Sequence, residues 1–259
     1  MSILVFIEHK GGALNKTSLE AIAAAQKLAT DFGQKVSAVV LGSSSLAQEI
    51  AAYDLEKVIS AENDQLADYT PDAYAAALEQ VIRSASPQFV IMSHTYLARD
   101  FAPKVAARFG KGLIGDCIRM SVDGGKATFT RRLFLGKLDA DVVSEGEPPT
   151  FVTFQSGSFR GDQAVKGSGA PVESMQVEVG EVRMKPEAPF QEAKQAVDLS
   201  KADVIVAVGR GIKSKDNLAL AEKLIRQHRG HVDFRTNPEG TTFSITLPVS
   251  GRNGSAALP

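Results

Sequence analysis

Gly209, Arg210 and Gly211 make the most suggestive spacing in this chain. They follow a nearly unbroken apolar run, Val204 to Val208, and lead into a helical pattern that reaches Leu224. Two glycines around an arginine let the backbone turn tightly and come close to a ligand. Ser214 is placed to cap the next helix, and Asp216 falls in its first turn, where the helix dipole favours a carboxylate. Free N–H groups at that helix start, with Arg210 and Lys213 beside them, have the makings of an anion or phosphate site. An ordinary strand-to-helix turn with solvated basic residues would read the same way, because two glycines in a turn discriminate weakly.

A second set of polar residues follows the other apolar strands: Glu8 and His9, Gly42 and Ser43, Ser93 and His94. None of these loops carries a GxGxxG or GxxxxGK[ST] pattern, and His94 reads first as a hydrogen-bonded turn histidine. The four histidines have no metal-ligand spacing with one another or with Cys117. No Ser/His/Asp or Cys/His set follows from spacing either.

The elements that must position these loops alternate. Ile3 to Ile7 is a buried strand, and Thr17 with Glu20 forms a capping box for a helix whose broad apolar face includes Leu19, Ile22, Leu28 and Phe32. Val36 to Leu41 is the next strand, Leu46 to Tyr53 a helix, and Lys57 to Ser60 a short strand. Thr70, Pro71 and Asp72 open a further helix that Ser86-Pro87 breaks. Phe89 to Met92 is a strand and Ala98 to Phe109 a helix. This alternation predicts an α/β fold with a doubly wound, mostly parallel, Rossmann-like sheet.

From Gly115 the pattern becomes β-rich, with strands at Asp116 to Val122, Lys126 to Leu135, Ala140 to Ser144 and Thr150 to Gln155. Asp123-Gly124-Gly125 suits a hairpin turn. Arg131 and Arg132 interrupt an apolar strand, facing either a partner or solvent. Phe159 to Ser200 loses periodicity, apart from a short strand at Met175 to Val179, and reads as an interdomain linker.

Net charge is −1, so nothing points to nucleic acid or an anionic membrane surface. One cysteine excludes an internal disulfide framework and fits a reducing compartment. The first ten residues have no signal-peptide pattern, and no apolar run approaches a membrane span. Together these features place the chain in the cytoplasm.

Several stretches carry a family resemblance. ILVFIEHKGGALNKTSLEAIAAAQKLA, YLARDFAPKVAARFG with IGDCIRM, FTRRLFLGKLDADVVS and PTFVTFQSGSF resemble the electron transfer flavoprotein alpha subunit, in family order, as does VIVAVGRGIKSKDNLALAEKL. The likeness covers about residues 1–224, with Gln155 standing where many members have arginine. It implies an N-terminal α/β domain that packs on a beta subunit to form a heterodimer, and a second domain that holds FAD. The heterodimer takes electrons from flavin dehydrogenases, such as the acyl-CoA dehydrogenases of fatty acid β-oxidation. It delivers them to a quinone reductase or another acceptor, as a carrier with no substrate of its own. Arg210 matches the arginine of the family's GRG turn near the flavin, where a guanidinium stabilises negative charge on the reduced ring. With the turn reading above, Gly209, Gly211, Lys213 and Ser214 join Arg210 as the expected cofactor-binding residues.

After Leu224 the expected VDAG-type turn, QTG stretch and Gln-His segment do not appear. His231 to Arg235 and Thr242 to Leu247 alternate instead, with Thr236 to Gly240 as the loop of a hairpin. Residues 218–249 resemble the last helix and hairpin of the ATP-binding domain of sensor histidine kinases, without its nucleotide motifs. Both resemblances meet at the helix Asn217 to Leu224, which suggests a fusion there. The expected layout is an N-terminal domain at 1–160, a linker at 161–200, and the start of a FAD domain at 201–224. A kinase-like hairpin at 225–249 and a disordered tail at 250–259 follow. A second α/β unit shortened in this way implies weak or absent FAD. Two other readings stay open: a flavin-free module that binds the beta subunit, and a stand-alone nucleotide-binding domain using the loops at Glu8 and His94.

Overall fold

Ile3 to Ile7 are all buried, as an unbroken apolar run between two helical layers must be. In the computed structural model, which describes residues 2–187, 219, 223, 226, 227, 231–237 and 240–246, the chain divides into two compact units, Met1–Ala188 and Pro189–Pro259.

The first unit starts with β1 (Ser2–Ile7), a two-rung hairpin of β2 (His9–Lys10) and β3 (Ala13–Leu14), α1 (Thr17–Phe32), β4 (Lys35–Leu41) and α2 (Ser44–Ile50). It continues with β5 (Lys57–Glu62), α3 (Pro71–Ala85), β6 (Phe89–Ser93), α4 (Tyr96–Arg108) and β7 (Leu113–Asp123). Then follow β8 (Lys126–Leu133), β9 (Leu138–Val143), β10 (Thr150–Phe154) and β11 (Val172–Gln176). Nine strands form one sheet in the order β11-β5-β4-β1-β6-β10-β7-β8-β9. Every neighbouring pair from β11 to β7 is parallel, and the β7–β8 and β8–β9 pairs are antiparallel.

Alternation along β1 feeds two cores. Ile3, Val5 and Ile7 pack with Ile22 and Leu28 of α1 and Leu46 of α2. Leu4 and Phe6 pack with Leu78 of α3 and Phe101 of α4, where the Phe6 and Phe101 rings lie 5.2 Å apart. The α/β, doubly wound expectation holds.

Several local expectations change. The capping box at Thr17 and Glu20 is absent: Asn15 Oδ1 accepts the Thr17 amide at 3.2 Å, while Glu20 Oε2 accepts the Gly157 amide at 2.7 Å. The polar stretch from Glu8 to Gly12 supplies the first strand and the turn of the β2–β3 hairpin, whose second strand is Ala13–Leu14. β10 does not pair with β9, the strand before it in the chain, but inserts between β6 and β7, parallel to both. The linker at 161–200 does not begin at 161: β11 pairs in parallel with β5, and Val177 and Val179 are buried. In the second unit, β12 (His231–Asn237) and β13 (Gly240–Thr246) form the expected hairpin. Its pairing runs to Asn237 opposite Gly240, so Thr236, Asn237 and Gly240 belong to the ladder rather than to the loop.

Candidate functional site

Gly209, Arg210, Gly211, Lys213 and Ser214 lie outside the described residues. What the structure places is the carboxyl edge of the parallel sheet. From β1 the strand order runs outward to β4 and β5 on one side and to β6 and β10 on the other. Glu8 after β1 and Ser93-His94-Thr95 after β6 therefore flank the switch point where doubly wound sheets bind ligands.

Here that crevice is stapled by its own residues. The Glu8 carboxylate accepts from Asn15 Nδ2 at 2.7 Å and from the Thr95 hydroxyl. Thr95 Oγ1 also caps α4 by accepting the Ala98 amide at 3.1 Å. The Glu8 amide donates to Ser18 Oγ at 2.8 Å, and Ser93 Oγ donates to the Thr17 carbonyl at 2.7 Å. His9 Nε2 donates to the Leu41 carbonyl at 2.6 Å, while Nδ1 accepts the Gly12 amide at 3.3 Å, which is the neutral Nε2–H tautomer. Beside it only glycine fits at position 42: φ is +71°, and a Cβ would stand 2.5 Å from the Leu66 carbonyl oxygen. Polar groups that could read a nucleotide are thus spent on one another.

His94 lies in a second cluster. Its Nδ1 is 2.8 Å from Thr153 Oγ1, which also accepts the Asp116 amide at 3.1 Å. Its Nε2 is 3.9 Å from Asp116 Oδ1. Burial holds the imidazole pKa below its ordinary value, the Arg99 and Arg131 charges push the same way, and Asp116 opposes them. Thr, His and Asp in a row resemble a nucleophile set, but Thr153 is fully buried and its hydroxyl is engaged. The cluster ties the β6, β7 and β10 ends together. Burial likewise pushes the Cys117 thiol up to about 12, so it stays protonated and unreactive at neutral pH.

The closed end of the β8–β9 hairpin has a different character. Its open end, at Lys126 and Ser144, lines one shallow cavity with Phe89 and Thr150 at the amino ends of β6 and β10. Ser144 Oγ accepts from Thr150 Oγ1 at 3.0 Å. The closed end therefore points to the carboxyl edge, where Arg131 pairs in register with Cys117. Phe134 and Leu135 form that turn with φ of +50° and +55°, a left-handed conformation that costs bulky residues on the order of 1–3 kcal/mol each. Phe134 is 73% exposed and Leu135 fully exposed. The apolar run Leu133-Phe134-Leu135 reads in the sequence as the last residues of a strand, so the turn gave no signal of its own.

Comparison with known proteins places the chain. Residues 3–180 match the electron transfer flavoprotein domain.

The chain belongs to the electron transfer flavoprotein family.

An electron transfer flavoprotein subunit alpha from Bacillus subtilis (strain 168) is 35% identical over 224 residues, covering 86% of this chain and 68% of the relative. Protein FixB from Clostridium saccharobutylicum is 32% identical, over 89% of this chain and 70% of its own length. The lactate dehydrogenase (NAD(+),ferredoxin) subunit LctC from Acetobacterium woodii is 30% identical, over 99% of this chain and 62% of its own length. That last alignment runs through the tail, whereas the kinase resemblance of residues 225–249 rests on sequence pattern alone. The electron transfer flavoprotein match ends at Gly180, one residue past buried Val179, so the family domain and the packed first unit end almost together. FAD is the cofactor expected of this family. Among the described residues no helix is long and apolar enough to cross a membrane.

Proposed function

We propose that the chain acts as an electron transfer flavoprotein alpha subunit whose first unit is a docking scaffold and whose second unit carries the approach to FAD. The observation that supports this division of labour is the stapled switch crevice, where Glu8 is bonded to Asn15 and Thr95. A flavin's phosphates do not fit there, because the donors they would use are already satisfied. The cofactor role falls instead to Gly209, Arg210, Gly211, Lys213 and Ser214. When bound, FAD would supply the electron-carrying chemistry. Arg210 would oppose negative charge on the flavin, and Lys213 and Ser214 would meet its phosphates.

In this reading the partner is a beta subunit, the donors are flavin dehydrogenases such as acyl-CoA dehydrogenases, and the acceptor is a quinone reductase or a related protein. The workplace is the cytoplasm. The chain is a carrier and turns over no substrate of its own.

FAD is held weakly or not at all, because residues after Leu224 depart from the family's FAD-domain pattern. That departure also favours a second reading, a flavin-free module that binds the beta subunit. One experiment separates the two. The full chain is co-expressed with a beta subunit encoded in the same genome, and the purified complex is scanned in the visible. A complex with a sub-stoichiometric flavin band, restored by added FAD, supports the carrier reading. A complex that takes up no flavin supports the module. A stoichiometric band overturns weak binding, and failure to form a complex overturns both readings. Equilibrium dialysis of residues 1–187 with AMP or ATP tests the stand-alone nucleotide domain, and no binding is expected.

A further inference from the structure

Exposed large apolar side chains concentrate at one edge of the first unit. Tyr96 is 88% exposed, Phe134 73% and Leu138 51%, and Leu135 is fully exposed. Tyr96 directly follows the β6 end, and the other three belong to the closed end of the β8–β9 hairpin, which points to the same carboxyl edge.

Two features mark the hairpin tip as more than exposed surface. Its backbone is strained for the residues it carries: Phe134 and Leu135 both sit at left-handed φ, where asparagine or glycine would be at ease. An apolar pair held in that conformation and given to water has no folding rationale. Its surroundings carry more cations than carboxylates, with Asp116, Asp139 and Asp141 set among Arg99, Arg119, Arg131, Arg132 and Lys137. Arg119 and Arg132 share the single carboxylate of Asp139, at 3.7 and 3.3 Å. Among the described residues Arg99, Arg131 and Lys137 have no carboxylate at ion-pair distance, and Arg131 Nε is buried without a hydrogen-bond partner.

We infer that the Phe134–Leu135 tip is an anchor that inserts into an apolar socket, rimmed by carboxylates, on the beta subunit. The inference rests on the alpha-subunit reading above. Apolar anchors at the centre, with a charged rim, carry most of the energy of a specific interface. The cationic rim matches an acidic one, which guides encounter and orientation. It also gives Arg131 and Arg132 the partner-facing role that their position in an apolar strand left open.

The test uses the full chain and the beta subunit encoded in the same genome. The variant F134N/L135N places residues that accept left-handed φ in the turn, so its melting temperature is expected to equal or exceed that of the wild type. Its affinity for the beta subunit, measured by titration calorimetry, is expected to fall by roughly thirtyfold or more. V165N removes an apolar side chain that is 55% exposed beside Asp54, away from the edge, and is expected to leave affinity unchanged. Wild-type affinity is also expected to weaken as salt rises. If F134N/L135N keeps its stability and binds as the wild type does, the anchor is wrong while the alpha-subunit reading stands. If V165N loses as much affinity as F134N/L135N, the assignment to the tip is overturned. If the wild-type chain does not bind at all, the anchor and the alpha-subunit reading fall together.

Discussion

His94 has its neutral form favoured by burial and by two arginines, with only Asp116 pulling the other way. The sign of its contribution follows. A depressed folded pKa means that the unfolded chain binds more protons as pH falls below the ordinary histidine value of about 6.5. Stability from this site is therefore complete above that pH and is lost as pH falls through the folded pKa. Histidine-detected NMR of the full chain is expected to give His94 a midpoint below about 6.5. Melting temperature is expected to drop less steeply between neutral and mildly acid pH in H94Q than in the wild type; an unshifted or raised midpoint would contradict this. The turn character of His94 is readable from Ser93-His94-Thr95. Its partners are not, because Thr153 lies 59 residues away and the two meet only when β10 slots beside β6. The same holds for Glu8, whose acceptor role is completed by Thr95, 87 residues on.

At the scale of elements, those with strong local signals form where the pattern puts them. Thr70 caps α3 by accepting the Ala73 amide at 3.4 Å, with Pro71 in the first turn, and Gly33 ends α1 in the left-handed conformation. β11 is the counter-example. Val172–Gln176 is a polar edge strand held by backbone pairing to β5, with Lys57 Nζ 2.7 Å from Glu173 Oε2 at its start. The sequence announces only a strand at Met175 to Val179, which overlaps β11 at Met175 and Gln176, because the polar residues Glu173 and Ser174 give little apolar period before it. Hydrogen exchange decides between strand and linker. The β11 amides bonded to β5 are expected to exchange slowly, like those of β4, and fast exchange throughout 172–176 would return the segment to the linker. The added β region shows the same division. Gly124 and Gly125 mark the β7–β8 turn openly, both at positive φ, whereas the Phe134–Leu135 turn hides in an apolar run.

For the molecule as a whole, the first unit has two complete cores on either face of one sheet, from Ile3 to Val179. A unit of this size buries enough apolar surface to fold alone. Residues 1–187 expressed by themselves are expected to unfold in one cooperative thermal transition and to bind the beta subunit through the hairpin tip. Multiple transitions would show that the cores depend on residues beyond 187. Gly209 to Ser214 belong to the other unit, and the carrier reading stands or falls there by its flavin spectrum rather than by anything in the first unit.

By itself the sequence determined the α/β class, most strands and helices of the first unit, the terminal hairpin and, through family-ordered stretches, membership of the electron transfer flavoprotein family. These are local or cumulative signals: apolar periodicity, caps, turn residues and motif order. Only the tertiary structure decided that β10 joins the middle of the sheet and that β11 extends it. It also decided that Glu8 and His94 are spent on internal bonds and that an apolar pair stands exposed in a strained turn. Each of those depends on which distant strands lie side by side, and backbone pairing across 50 or more residues leaves no mark on local composition.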